Sequence, residues 1–467
     1  MISKVKNAMS TLVGGMIPHG HHQHHGSGNV HHQNCHQDGL PPRFPYGRPE
    51  FLDLTSELLQ YSTEHASRPV LTLKRDSRLP WRTGYAETIN AGKSMLNEDQ
   101  ASCELLYVKK LSDKKQRNST LLDDNGDGTG IPLQYWGMFD GHAGSGCAIM
   151  ASKLLHRLIR DRLEDIAHLL ENTSAALPIC LAKNGSPYQV AVKKGANATQ
   201  DPEDPDAISD PSIRFHMEKA VSLESLIMGV IENAFKQMDE LIEKEKMSYT
   251  ISGGCCALAA IHLMGKLYVA NAGDSRAIII RNGEVIPMSN EFTPESERQR
   301  LQHLGFLRPE LLGNEFTPME FPRRIQYREL GRKMLFRDHT MNGWAYKTIV
   351  EDDLKFPLIY GEGKKVIVYD MSEYEHGPDD VLVMGTDGLW DVTTDREVAD
   401  TVSGFLSCCE PTDPVRYTLA AQDLLMRSRG VLKERGWRLP NERLGSGDDI
   451  TCYVIPLAGP AGPETET

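Results

Sequence analysis

The sequence predicts an α+β fold, because strand signals and helix signals come in separate blocks without the strand–helix–strand alternation of a parallel sheet. Three observations carry that prediction. From residue 254, "GCCALAAIHLM", "LYVANAG" and "SRAIIIRNGEVIPM" are apolar runs joined by tight turns at Gly265-Lys266 and Asn282-Gly283, which reads as antiparallel strands. Further apolar β-runs precede or follow acidic loops, as in "YWGMFDGHAG", "VLVMGTDGLWDV" and "LGSGDDITCYVIP". Apolar residues at helical spacing occupy 144–169, 221–246, 294–304 and 414–429.

Taken in order, residues 1–40 predict a disordered tail with two parts. In "ISKVKNAMSTLVGGMI" (2–17), Ile2, Val5, Met9, Leu12, Val13 and Met16 recur at helical spacing beside Lys4 and Lys6. That pattern fits a basic amphipathic helix in peripheral contact with a membrane surface, and equally a frayed terminus. Ile at position 2 excludes N-myristoylation. The histidine-rich tract 19–36 has irregular spacing and Gly/Ser/Gln filler, so it reads as disordered and binds metal only adventitiously. Residues 41–78 form a separate N-terminal extension ahead of the main domain, 79–458. Within that domain, "DDNGDGTGIPLQ" (123–134) places Asp123, Asn125, Asp127 and Gly128 as a calcium loop would, but its twelfth position is Gln134 and Pro132 blocks an exiting helix. A solvated hairpin loop is expected instead. The polar stretch 173–212 reads as a surface insertion, 290–360 as a second, flap-like one, and 459–467 as a disordered tail.

The chain has 467 residues and a formal net charge of −13, which argues against nucleic-acid binding because a phosphate backbone requires a basic face. Nine cysteines without C-x-x-C spacing, two pairs of them adjacent, point to reduced thiols and a cytoplasmic location. No run is long and apolar enough to span a bilayer.

The chemistry lies in the acids at strand ends: Glu98 in "NED", Asp140 before Gly141 and His142, Asp274 in "NAGDSR", Asp387 and Asp391 in "DGLWD", and Asp448-Asp449 before the last strand. Carboxylates gathered on such loops repel one another unless cations sit between them, and hard divalent ions such as Mg²⁺ and Mn²⁺ prefer oxygen ligands. The glycines after Asp140 and Asp387 let backbone approach a metal closely. No cysteine is followed six residues later by Arg, and Asp204-Pro205-Asp206 lacks the Thr or Val required two residues on, so both covalent phosphoenzyme routes are disfavoured.

"NED", "DGHAG", "ANAGDSR", "DGLWDV" and the late "GDD" occur in the order of the metal-dependent type-2C (PPM) serine/threonine protein phosphatases. "FPYGRPEFL", "LPWRTGYAETINAGKSMLNEDQASCE", "GWAYKTI" and "LGSGDDI" further resemble the branch lettered H, J and M, and the resemblance spans about residues 41–457. It implies a β-sandwich of two antiparallel sheets flanked by helices, phosphoprotein substrates, and two principal Mg²⁺ or Mn²⁺ ions with a weaker third. By the resemblance, Asp140 bridges two metals, Asp387 and Asp448 complete one site, and Glu98 with the Gly141 carbonyl completes the other. Asp274 and Asp391 join Asp387 in the third site. A water bridging the main ions attacks phosphorus without a phosphoenzyme, and His142 protonates the leaving oxygen.

The chain departs from the family in three places. Where the family commonly has a phosphate-holding Arg, this chain has Ser94 beside Lys93, a point charge without the bidentate fork. The late motif is Asp448-Asp449 where Asp-Asn is usual. Finally, "GEGKKVIVYD" (361–370) fails as a P-loop, since Leu358 and Lys365 stand where Gly and Ser/Thr belong. Family members continue from the Gly-Lys-Lys into a further strand bearing Ser/Thr-Arg-x-x-Gly-Asp, whereas here Lys365 runs into "VIVYD". A segment, and with it a strand, is expected to be missing near residue 365. Two readings follow: an active phosphatase, or an impaired isoform that binds or titrates. A merely acidic cation-binding protein is a third. The arginines and lysine of the flap, Arg323, Arg324, Arg328, Arg332, Lys333 and Arg337, mark a region for substrate docking.

Overall fold

The structure, a computed structural model, describes residues 40–109, 130–172, 175–183, 216–293, 296–311, 316–323, 325–341, 343, 345–357, 364–371 and 375–459. The amphipathic stretch 2–17, the histidine tract, residues 123–129 and most of 173–212 lie outside these. Eleven strands make the framework: β1 (Leu71–Thr72), β2 (Gly84–Thr88), β3 (Gln100–Val108), β4 (Ile131–Phe139), β5 (Ala257–Leu263), β6 (Lys266–Ala272), β7 (Arg276–Arg281), β8 (Glu284–Pro287), β9 (Lys364–Asp370), β10 (Val381–Gly385) and β11 (Ile450–Pro456). They form two sheets, ordered β1-β2-β11-β10-β7-β8 and β9-β6-β5-β4-β3, with every neighbouring pair antiparallel. The expected α+β sandwich is what the chain adopts.

Strands buried on both faces explain why the sequence reads as continuous apolar runs instead of clean alternation. In β7, Ala277 and Ile279 point into the layer between the sheets, where they meet Trp136, Met138, Leu258, Ala260, Leu382 and Tyr453. Ile278 and Ile280 point the other way, onto helices α3 (Asp395–Ser407) and α4 (Arg416–Arg429). β5 repeats the pattern: its Ala259 and Ile261 face helices α1 (Gly146–Glu164) and α2 (Leu223–Glu245). The result is four layers, helix–sheet–sheet–helix. Each fully buried Ile or Leu contributes about 1.5–3 kcal/mol, so the three apolar layers dominate the fold's stability.

Helices stand where the periodicity placed them, α1 and α2 within the predicted spans and α4 close to its own. Ser222 caps α2 by accepting from the Ser225 amide at 3.2 Å. The 294–304 pattern becomes Arg298–Leu307. Helix α3 was not anticipated, yet its signature is in the sequence: Thr394 and Glu397 form a reciprocal capping box, with bonds of 3.2 and 2.8 Å, ahead of Val398, Val402 and Leu406.

Three loop expectations meet the structure. The calcium-like stretch ends inside β4, where Gln134 Nε2 donates to the Glu104 carbonyl at 3.0 Å; a strand leaves that loop, as a hairpin requires. Ile179–Lys183, in the polar insertion, pairs antiparallel with His216–Ala220, just beyond its predicted end. At the seam, β9 pairs with β6 from Lys266↔Asp370 to Ala272↔Lys364 and so forms the sheet's outer strand.

Candidate metal centre

Every predicted acid comes to one end of the sandwich, carried there by strand ends from both sheets. Asp140 follows β4, and its carbonyl accepts from the Cys256 amide at 2.8 Å. Gly141 and His142 continue into a short ladder with Cys255 and Gly254. Asp387 opens a single helical turn after β10, and its amide donates to Asp140 Oδ2 at 3.3 Å. Asp274 sits in the turn from β6 to β7, where Cys256 Sγ donates to its Oδ1 at 3.1 Å. Carboxylate oxygens of Asp140, Asp274 and Asp387 all lie within 4.8 Å of one another. The resemblance groups Asp274 with Asp391 and Asp387; in the structure Asp274 also lies beside Asp140, and Asp391 adds its charge to that of Asp387.

Glu98, two residues before β3, and Asp448, two residues before β11, flank this trio. Glu98 is fixed through its backbone: its amide donates to Asp449 Oδ2 at 3.0 Å, while Asp449 Oδ1 accepts from the Asn90 amide at 2.7 Å and its side chain at 3.0 Å. Asp449, the departure from the usual Asn, therefore ties two loops together while its charge bears on Glu98. Asp391 stands exposed at the rim, its amide bonded to the Asp387 carbonyl.

Electrostatics follow from burying like charges together. Burial, then Asp387, Asp99 and Asp274, hold the Asp140 carboxyl well above the usual range. Burial, then Asp448, Asp274 and Asp391, push Asp387 up to about 7. Burial and then the Asp449 charge push Glu98 up to about 7, against a bond from the Gly144 amide. Burial alone would lower Lys93, but the hydrogen bond and charge of Asp448 raise it. Its ammonium rests on Asp448 Oδ2, an ion pair at the predicted ligand itself.

These donors suit a hard cation, being carboxylates and a carbonyl with no sulfur or imidazole among the predicted ligands. The loops approach too closely for any side chain between them. A Cβ on Gly141 would fall 2.3 Å from the Glu98 carbonyl oxygen, and one on Gly388 would fall 2.0 Å from that of Asp449. His142 lies over Gly254, whose own Cβ would meet Nε2 at 2.6 Å. It is exposed beside the acids.

Sequence reasoning missed the groups that hold this arrangement. Asp99, buried, accepts from Thr386 Oγ1 at 3.0 Å and Thr451 Oγ1 at 2.7 Å, locking the residue before Asp387 to the last strand. Arg48 and Arg68 reach in from the N-terminal extension. Ser94, at the position of the usual Arg, instead bonds Asn90 and the Leu96 carbonyl. In the flap, Arg323 pairs with Glu329 and Arg337 with Glu320, so neither presents an unpaired charge for docking.

A helix-flanked β-sandwich that brings carboxylates from both sheets together at one end has the oxygen donors a divalent cation needs. The comparisons make this specific. The family profile described as protein phosphatase 2C matches residues 207–316 and 365–426. Human protein phosphatase 1H is 51% identical over 98% of this chain and 99% of its own length. Human protein phosphatase 1J is 50% identical over 90% and 87%. A solved serine-threonine phosphatase 2C from Toxoplasma gondii aligns over 83% of this chain and 98% of its own, at 15% identity and a TM-score of 0.37. The chain belongs to the protein phosphatase 2C family of metal-dependent serine/threonine phosphatases. Its similarity to 1H and 1J is the H/J/M branch expected from the motifs. The alignment with human 1H spans 512 positions, 45 more than the 467 residues here, so at least that many positions of the relative have no counterpart in this chain.

Proposed function

We propose that this chain dephosphorylates phosphoserine and phosphothreonine in proteins at the Asp140 centre, using two Mg²⁺ or Mn²⁺ ions. The observation that carries the proposal is the convergence of Asp140, Asp274 and Asp387 oxygens within 4.8 Å, in a chain 51% identical to a protein phosphatase. Asp140 would serve both ions, Asp387 and Asp448 would hold one, Glu98 and the Gly141 carbonyl the other, and Asp391 with Asp274 and Asp387 would offer a weaker position. When bound, the ions activate water for in-line attack on phosphorus and neutralise the charge that develops. His142, exposed beside the acids, protonates the departing serine or threonine oxygen. Lys93 supplies positive charge to the phosphate once the cations satisfy Asp448. The impaired-isoform alternative is not favoured, since β9 pairs along the whole of β6 and the chain is 51% identical to a protein phosphatase over 98% of its length.

The test is hydrolysis of a phosphothreonine peptide by purified protein with Mn²⁺ or with EDTA, beside Asp140→Ala. Activity is expected only for wild type with metal. Equal rates in wild type and Asp140→Ala would sink the proposal.

A further inference from the structure

We infer that Arg48 and Arg68, both from the N-terminal extension, are positioning residues for the metal centre, one bracing each ligand loop. Both side chains are buried, Arg68 completely and Arg48 with 1% of its side chain exposed. An arginine is rarely buried unless its donors are satisfied, so where those donors end is informative. Arg68 sends Nε to the Ile89 carbonyl at 2.6 Å, one terminal nitrogen to the Ser446 carbonyl at 2.5 Å and the other to the Asp448 carbonyl at 2.6 Å. It thereby joins the end of β2 to the loop that carries Asp448. Arg48 grips Glu87 of β2 through both Glu87 oxygens, at 2.6 and 2.8 Å. Its remaining nitrogen bridges the carbonyls of Asn97 at 3.1 Å and Asp99 at 2.7 Å, the residues on either side of Glu98.

The chain accepts backbone strain to make the first of these braces. Arg68 has φ of 44°, a left-handed conformation that is strained for a non-glycine residue and survives only where its surroundings fix it. Here they do so. Its carbonyl accepts from Thr88 Oγ1 at 3.0 Å and from Arg429, and Trp437 stacks against both guanidinium groups, 5.2 Å from Arg68 and 5.0 Å from Arg429. Loss of a partner that orients a metal ligand typically costs about tenfold to a hundredfold in metal affinity. Each brace acts most directly on its own loop, although Asp449 and Asp99 link the two: Arg68 bears chiefly on the ion that Asp387 and Asp448 would hold, and Arg48 chiefly on the ion that Glu98 and Gly141 would hold.

This inference rests on the proposed ligand set, and the test keeps the two apart. Mn²⁺ titration by calorimetry is run on wild type, Arg68→Lys, Arg48→Lys and Asp448→Asn, with the thermal midpoint of each protein recorded. Arg68→Lys and Asp448→Asn are expected to weaken the same binding phase, by about tenfold or more for Arg68→Lys, leaving the other phase near wild type. Arg48→Lys is expected to weaken the other phase. Equal loss of both phases in either arginine variant, or wild-type affinity despite a lowered thermal midpoint, overturns the inference and leaves the ligand set standing. A wild type that binds no Mn²⁺ overturns the ligand set itself. Should a variant fail to fold, hydrogen exchange on the metal-free wild type decides: the braces require slow exchange at 97–99 and 446–449 before metal arrives, and exchange at open-loop rates overturns them.

Discussion

At the residue scale, the acids were legible because each interrupts an apolar run, and a carboxylate at a strand end needs a reason. Arg48 and Arg68 were not legible, because a lone arginine in a polar extension reads as solvated surface. Arg68 meets Asp448 across a sequence separation of 380, which no local pattern reports. The same clustering that makes the acids a site sets a pH dependence. Glu98 moves from an ordinary 4.5 to about 7 and Asp387 from 3.8 to about 7, so without metal the folded state favours their protonated forms. Stability from these groups is therefore fully present below their ordinary values and is lost as pH rises through about 7. In EDTA, the urea midpoint is expected to fall from about pH 5 to about pH 8, with a shallower fall in Asp387→Asn. A midpoint that rises over that range in EDTA would refute this account.

At the element scale, strands and three of the four long helices followed from periodicity, since a face buried against a sheet writes its spacing into the sequence. Helix α3 was passed over because its apolar face is short, though the Thr394–Glu397 capping box announces its start. What no periodicity conveys is how closely elements approach. β2 and α4 touch backbone to backbone: a Cβ on Gly84 would lie 2.1 Å from both the carbonyl carbon and oxygen of Tyr417. Gly84→Ala must push α4 off the sheet, at a cost of about 3 kcal/mol. The contact sits at the start of β2, whereas Asn90 and the ligand loops follow its end. Urea melts in saturating Mn²⁺ should show that loss of stability, with the Mn²⁺ midpoint of the surviving folded protein unchanged. A wild-type urea midpoint would mean that the helix and strand have more room than the structure gives them.

At the scale of the whole molecule, the proposed ligands divide between the sheets. Glu98 leads into β3 and Asp140 leaves β4, both in one sheet; Asp387 leaves β10 and Asp448 precedes β11, in the other; Asp274 sits where the chain crosses from β6 to β7. A cation bound among them is therefore a cross-link between the two halves of the sandwich, as well as a reagent. It would also offset the burial, and after it the mutual repulsion, that raise the Asp140, Asp387 and Glu98 carboxyls. Because the unfolded chain scatters these residues over some three hundred and fifty positions, binding belongs almost wholly to the native state and must stabilise it by mass action. At a free Mn²⁺ concentration one hundred times the dissociation constant, each site should add about 2.7 kcal/mol to the free energy of unfolding. Differential scanning calorimetry with increasing Mn²⁺ is expected to show a single transition moving upward together, since both sheets share the site. Asp140→Ala, lacking the shared ligand, should shift little. If metal instead split the transition in two, or moved only part of it, the centre would belong to one sheet and not to the junction.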